Sequence, residues 1–161
     1  MEYSFKQQDA KLWFIKAFDF HMEGELDKAV TLYKKSIALD PSPEAHTYLG
    51  WTYSFQGKYD AAINECKKAI TLDADFGNPW NDIGAYLIEL NQDDEAITFL
   101  EQATKAPRYD NYCFPHYNLA RIYKRKGMYK KAMESLKSSL EANPHYIVAQ
   151  EELVELESEL Q

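Results

Sequence analysis

The sequence predicts an all-α fold, a solenoid of four helix–turn–helix repeats closed by a C-terminal capping helix. Three observations carry that prediction. Apolar residues recur at i, i+3, i+4 and i+7 over short segments, the period of an amphipathic helix. Gly24, Gly57, Asn91 and Gly127 stand 33, 34 and 36 residues apart, and these residue types suit the left-handed position that ends a helix. The same intervals separate Ala17, Gly50, Gly84 and Ala120, then Ala29, Ala62, Ala96 and Ala132, then Ser36, Ala69, Ala103 and Ser139. All twelve of those positions are small, as two antiparallel helices require if they are to approach closely and stack on the next pair.

Larger side chains fill what remains of each pair. Trp13, Tyr33, Leu49, Tyr53, Trp80, Ile83, Leu100, Leu119, Tyr123 and Leu136 fall in the core phase, and Pro41 and Pro144 close their units. The spacing resembles the tetratricopeptide repeat (TPR), whose pattern runs W-x2-L-G-x2-Y, then A-x3-F, then P. In register, the first unit gives Trp13, Ala17, Phe20, Gly24, Ala29, Tyr33 and Pro41. The second gives His46, Leu49, Gly50, Tyr53, Gly57, Ala62, Cys66 and Ala69. The third gives Trp80, Ile83, Gly84, Leu87, Ala96, Leu100 and Ala103, and the fourth His116, Leu119, Ala120, Tyr123, Gly127, Ala132, Leu136 and Pro144. The units run over about 10–42, 43–76, 77–110 and 113–146, within a single domain spanning 1–161. The resemblance implies a right-handed superhelix, an α-solenoid whose first helices line the concave face.

Two departures bear on its shape. Lys16 replaces the usual leucine of the first unit, and Arg108 stands where the third unit would end in proline. Two extra residues lengthen that junction, "APRYDNYCFPH", which is expected to bulge or tilt the fourth unit. Beyond Pro144 a helix over about 145–160 carries Ala149, Leu153, Leu156 and Leu160 on one stripe and five glutamates elsewhere, the makeup of a solvating cap. Residues 1–9 read as frayed or as a short helical extension.

Composition narrows the function. With 45% hydrophobic and 27% charged residues the chain is globular, and its net charge of −8 weighs against nucleic acid and anionic membranes as partners. No apolar run approaches the ~18 residues of a membrane span, and no secretory leader is recognisable, so a cytoplasmic location is expected. Cys66 and Cys113 form no CxxC pair, which argues against a thiolate zinc site and a disulfide scaffold. No metal or cofactor is expected. Catalysis is not expected either. His46 and His116 occupy the core phase, His21 has no base or nucleophile in sequence reach, and no phosphate loop or nucleophile elbow occurs.

The expected site is the concave groove, formed by first-helix residues that the core does not use. Phe14, Phe18 and His21 come from the first unit and Tyr48, Trp51 and Phe55 from the second. Asn81 and Asp82 follow in the third, then Tyr117, Asn118, Arg121, Lys124 and Arg125 in the fourth. A row of exposed aromatic rings is uncommon in a monomer unless something covers it, either the rings themselves, the N-terminal nine residues or a partner. Six of the 18 Lys and Arg fall between Arg121 and Lys131. Of these, Arg121, Lys124 and Arg125 face the groove, where a partner carboxylate could pair with them, while Lys126, Lys130 and Lys131 suit helix-end solvation.

The TPR co-chaperones that clamp a terminal carboxylate do so with Lys and Asn. Here those positions hold Phe14, Phe18, Tyr48, Asn78 and Asp82, so the clamp is expected to be absent. Asn118 matches the asparagine that the resemblance assigns to a bound peptide's backbone. The expected function is that of an adaptor holding a peptide segment of another protein, with apolar anchors and an acidic residue or terminal carboxylate. The alternatives are a chaperone of the kind that serves bacterial type III secretion, or a homo-oligomer joined through the aromatic face.

Overall fold

In a computed structural model of the chain, which describes residues 4–161, the described residues form nine α-helices and no strand beyond a single bridge. The helices are α1 (Phe5–Met22), α2 (Leu26–Leu39), α3 (Pro43–Phe55), α4 (Tyr59–Leu72), α5 (Gly77–Glu89), α6 (Asp93–Ala103), α7 (Cys113–Arg125), α8 (Tyr129–Ala142) and α9 (Ile147–Glu159). They stack as hairpins, α1 with α2 through α7 with α8, and α9 closes the row against α8. The fold is therefore an all-α solenoid.

Local chemistry sets the helix ends. Ser4 begins α1 with a capping box: its hydroxyl accepts from the Gln7 amide, while the Gln7 side chain accepts from the Ser4 amide at 3.0 Å. Residues 5–9 thus belong to α1 rather than fraying, and the possibility that the extreme N-terminus covers the groove falls on residues 1–3, outside the described residues. Ser42 caps α3 with Pro43 in its first turn. Every hairpin turns on a left-handed residue, with φ of 81°, 72°, 58° and 71° at Gly24, Gly57, Asn91 and Gly127. In each turn the following amide reaches back five residues, as from Lys58 to Tyr53 at 2.9 Å and from Met128 to Tyr123 at 2.8 Å.

The small positions lie at the helix contacts. Ala17, Ala29, Ala62, Ala69, Ala96, Ala103 and Ala132 are fully buried. A Cβ added at Gly84 would lie 2.4 Å from the side chain of Leu100. The two serines of the last series are more than small. Ser36 donates to the Ala10 carbonyl at 2.7 Å and Ser139 to the Cys113 carbonyl at 2.8 Å, each pinning a second helix to the start of its partner. Around these contacts Tyr33, Leu49, Ile83, Leu100, Leu136 and Leu156 are wholly enclosed, each worth about 1.5–3 kcal/mol of apolar burial. Trp13, Tyr53, Trp80 and Tyr123 are half-buried instead. Trp13 lies beneath the ammonium groups of Lys16 and Lys35, which accounts for a lysine where the repeat pattern has leucine.

The histidines differ from one another. His46 is buried and bonds to Glu65 at 2.7 Å, with Lys68 on the other carboxylate oxygen at 2.8 Å. Burial works to raise the Glu65 carboxyl, but the bonds from His46 and Lys68 prevail and hold it below its ordinary value. His116, expected in the core, is only half-buried.

That junction folds back onto the solenoid. The Arg108 amide donates to the Asp75 carbonyl and the Gly77 amide to the Arg108 carbonyl, both at 3.0 Å, so 104–112 runs beside the preceding inter-repeat loop. Its guanidinium bonds to Asp73 and Glu44 and lies over the Phe76 ring at 4.2 Å. Tyr109 packs on Gly77, where an added Cβ would meet its ring at 2.5 Å. At the cap, Ala149 and Leu156 are buried and Leu153 packs beside them, but Leu160 is exposed. Ile147 and Val154 face outward with the glutamates, so the outer side is less polar than the sequence suggests.

Candidate protein-binding groove

The first helices α1, α3, α5 and α7 bring the expected residues into one series. On α1 and α3 the rings form a continuous ladder. Phe14 and Phe18 both touch Tyr48, with ring centroids 5.1 and 5.9 Å away. Tyr48 meets Trp51 at 5.8 Å, and Trp51 meets Phe55 at 5.3 Å, each pair nearly perpendicular. The rings partly cover one another, leaving Phe14, Phe18, Tyr48 and Trp51 half-buried. Phe55 remains 62% exposed at the ladder's end.

His21 is a correction. Expected to face the groove, it is only 5% exposed and lies flat under Trp51, 3.9 Å away with the rings 11° from parallel. Its Nδ1 is 2.8 Å from Thr52 Oγ1, whose single proton goes to the Tyr48 carbonyl at 2.9 Å. The threonine oxygen therefore accepts, and neutral His21 donates from Nδ1. Burial lowers its pKa from the ordinary 6.5. His21 is a platform that holds the Trp51 ring in place.

Further along, Asn81 and Asn118 are buried and bonded to each other at 3.1 Å, and Arg121 donates to the Asn118 oxygen at 3.2 Å. Asn118, expected to hold a peptide backbone, is engaged within the protein. Tyr117 packs against Tyr146 from the approach to the cap, at 5.3 Å. Asp82 is half-buried next to Phe18, Tyr48, Trp51 and Asn78, around a cleft of about 200 Å³. Burial pushes its carboxyl up to about 7, against the downward pull of a hydrogen bond from Asn81.

The basic end is matched internally, contrary to the expectation of free cations there. Arg121 pairs with Glu89 at 3.3 Å. Lys124 pairs with Glu152 and Glu155 of α9 at 3.2 and 3.3 Å. Arg125 holds Asp93 and the Ile88 carbonyl, and Lys126 holds Asp94. Three of these pairs share one separation of 32 residues, joining the third hairpin's turn to the end of α7. A scan for carboxylates 32 residues before the cations, slightly less than one repeat, would have found these three.

The sequence reading also missed a larger cleft of about 790 Å³ between the starts of α1 and α3. Lys11, Phe14, Asp40, Glu44 and Tyr48 are among its lining residues. Cys66 and Cys113 are free thiols, both buried. No described helix is long and apolar enough to cross a membrane, and among the described residues no cluster of metal-ligating side chains occurs.

Sequence models of the tetratricopeptide repeat match residues 43–76, 78–110 and 115–146, more than half of the chain. Among curated proteins the chain is similar to anaphase-promoting complex subunit 3 of Schizosaccharomyces pombe, 26% identical over 123 residues. It is also similar to tetratricopeptide repeat protein 21B of Mus musculus, 28% identical over 131 residues. These alignments take in 76% and 80% of the chain but only 18% and 10% of the two relatives. Among solved structures, that of pilF from Pseudomonas aeruginosa superposes with a TM-score of 0.88 at 21% identity, covering 95% of this chain and 69% of that one.

Proposed function

Given that the chain belongs to the tetratricopeptide repeat family, whose solenoids are scaffolds for protein–protein interaction, we propose that it is an adaptor holding a segment of a partner protein along its concave aromatic face. The supporting observation is the ladder from Phe14 to Phe55. Trp51 is held from below by His21, and the ladder ends in the Phe55 ring, most of which remains exposed. Rings fixed in this way supply contact area at little entropic cost, the property that concentrates binding energy in aromatic anchors. A segment lying across them would bind with an affinity on the order of micromolar, because ordering it offsets much of the burial.

An acidic anchor at Arg121, Lys124 and Arg125 is not part of this proposal. Such a group would have to displace Glu89, Glu152, Glu155 and Asp93 from contacts already formed. The test compares affinity capture from native lysate by the wild type, by Phe55→Ser and by Trp51→Ala, with circular dichroism verifying the helical fold. The expected result is a protein retained by the wild type and lost by both variants. Retention of that protein by both folded variants would move the interaction off the aromatic face.

A further inference from the structure

The cleft between Phe18, Tyr48, Trp51 and Asp82 has the makeup of a cation site. We propose that it receives the positively charged side chain, arginine or lysine, of the bound partner segment. The inference rests on the adaptor reading and gives that partner a chemistry.

Geometry comes first. Phe18 and Tyr48 are inclined at 68° and Tyr48 and Trp51 at 85°, with centroids 5.9 and 5.8 Å apart. These edge-to-face contacts leave the three rings only half-buried, and together with Asn78 and Asp82 of α5 they line one cleft. At about 200 Å³ the space equals the share of roughly six or seven waters in the liquid, enough for a guanidinium or ammonium head with its last methylenes. Cations within ~6 Å of a ring centroid are drawn to the negative face of the π-system, most strongly to tryptophan.

Elsewhere the protein's own cations cover aromatic rings, with lysines over Trp13, Phe20, Tyr53 and Tyr123 and Arg108 over Phe76. Among the described residues none covers Phe18, Tyr48 or Trp51. Neither α3 nor α5 contains a lysine or arginine, so neither helix can supply one. All three arginines of the chain are held by carboxylates. Asp82, in contrast, forms no ion pair among the described residues. The titratable groups around it are Tyr48 of α3, Cys66 from α4, Tyr86 on α5 and Tyr109 from the junction, and burial pushes the last three up, so those three are neutral near pH 7.

The lining of the cleft also selects among ligands. An apolar anchor would strip the remaining water from Asp82 and return no hydrogen bond, which is costly for a carboxyl. An acidic anchor would repel it. A basic side chain pairs with the carboxylate and uses the ring faces together, as in sites where aromatic walls and one anion hold an ammonium group.

The experiment titrates the isotopically labelled protein with three acetylated and amidated alanine pentapeptides, centred on arginine, on its neutral isostere citrulline, or on leucine. The readout is the Trp51 indole N–H resonance, identified with Trp51→Phe. The arginine peptide is expected to bind about tenfold more tightly than the citrulline peptide. That preference should vanish in Asp82→Asn, which keeps the side chain's shape, and weaken in Phe18→Leu, which keeps the apolar wall without the ring. Arginine binding should also tighten by up to about tenfold from pH 6 to pH 8, because a bound cation needs Asp82 ionised and its ionised fraction rises through that window. Equal binding of the arginine and citrulline peptides, or an arginine preference that survives in Asp82→Asn, overturns the cation site. If the leucine peptide then still moves the Trp51 resonance, the aromatic docking reading stands without it. If no peptide moves that resonance, both fall.

Discussion

His21 shows how much one side chain can depend on contacts that its own helix does not reveal. Its phase on α1 points it toward the groove, and only the approach of α3, through Thr52 and Trp51, encloses it. Burial favours the neutral ring, so the folded protein resists a proton that the unfolded chain accepts near pH 6.5. For this group the unfolded state therefore binds more protons just below pH 6.5, so its contribution to stability rises with pH through that window and levels off above it. His116, lowered chiefly by burial with Glu141 opposing, acts in the same direction. Asp82, held protonated up to about 7, works in the opposite direction. Glu65 contributes in a more acidic range, since its stabilisation is present above its ordinary value of 4.5 and is lost as pH falls through the depressed one. Thermal melts of the wild type and His21→Phe between pH 5 and 7.5 separate these contributions. The variant keeps a ring under Trp51 but cannot titrate, so its melting temperature relative to that of the wild type should rise on acidification. An unchanged slope would show that His21 is already accessible to protons in the folded state.

Hairpin turns and helix contacts were legible in the sequence because they are local, a glycine or asparagine at positive φ and alanines at a fixed interval, whereas the serine caps of α1 and α3 went unread. The junction 104–112 was not, because its conformation is set by residues about 30 positions earlier. Arg108 breaks the repeat pattern for a reason that only the fold displays. Its amide completes a bridge to Asp75 and its guanidinium ties Asp73 to Glu44. Restoring the family's residue with Arg108→Pro should therefore destabilise the protein. The lost amide bond is worth about 0.5–1.5 kcal/mol, and the exposed guanidinium pairs add little to it. Urea denaturation measures this directly. A variant as stable as the wild type would show that the docked junction contributes nothing to folding.

Across the whole molecule, the sequence revealed the row of repeats but not how charge is shared between them. The cations of α7 looked available for a ligand because their partners lie on other hairpins and on α9. Coupling along the solenoid is carried by its core, which falls into three clusters: α1 to α3, α4 to α7, and α7 to α9. Tyr53 packs against the first and second clusters and Tyr123 against the second and third, so these two half-buried rings join neighbouring units. In such a quasi-one-dimensional stack a lost contact is felt by adjacent units first. Leu156, fully buried between α9 and α8, allows a test. Leu156→Ala should cost about 2–5 kcal/mol, the range for emptying an enclosed leucine site. The damage should remain near that end. Hydrogen exchange read by mass spectrometry is expected to quicken in α7, α8 and α9 while α1 and α2 keep their protection, because Tyr53 and Tyr123 transmit only part of the loss. Equal acceleration in α1 and α9 would mean that the chain opens as a single cooperative unit and that the two tyrosines couple its clusters completely.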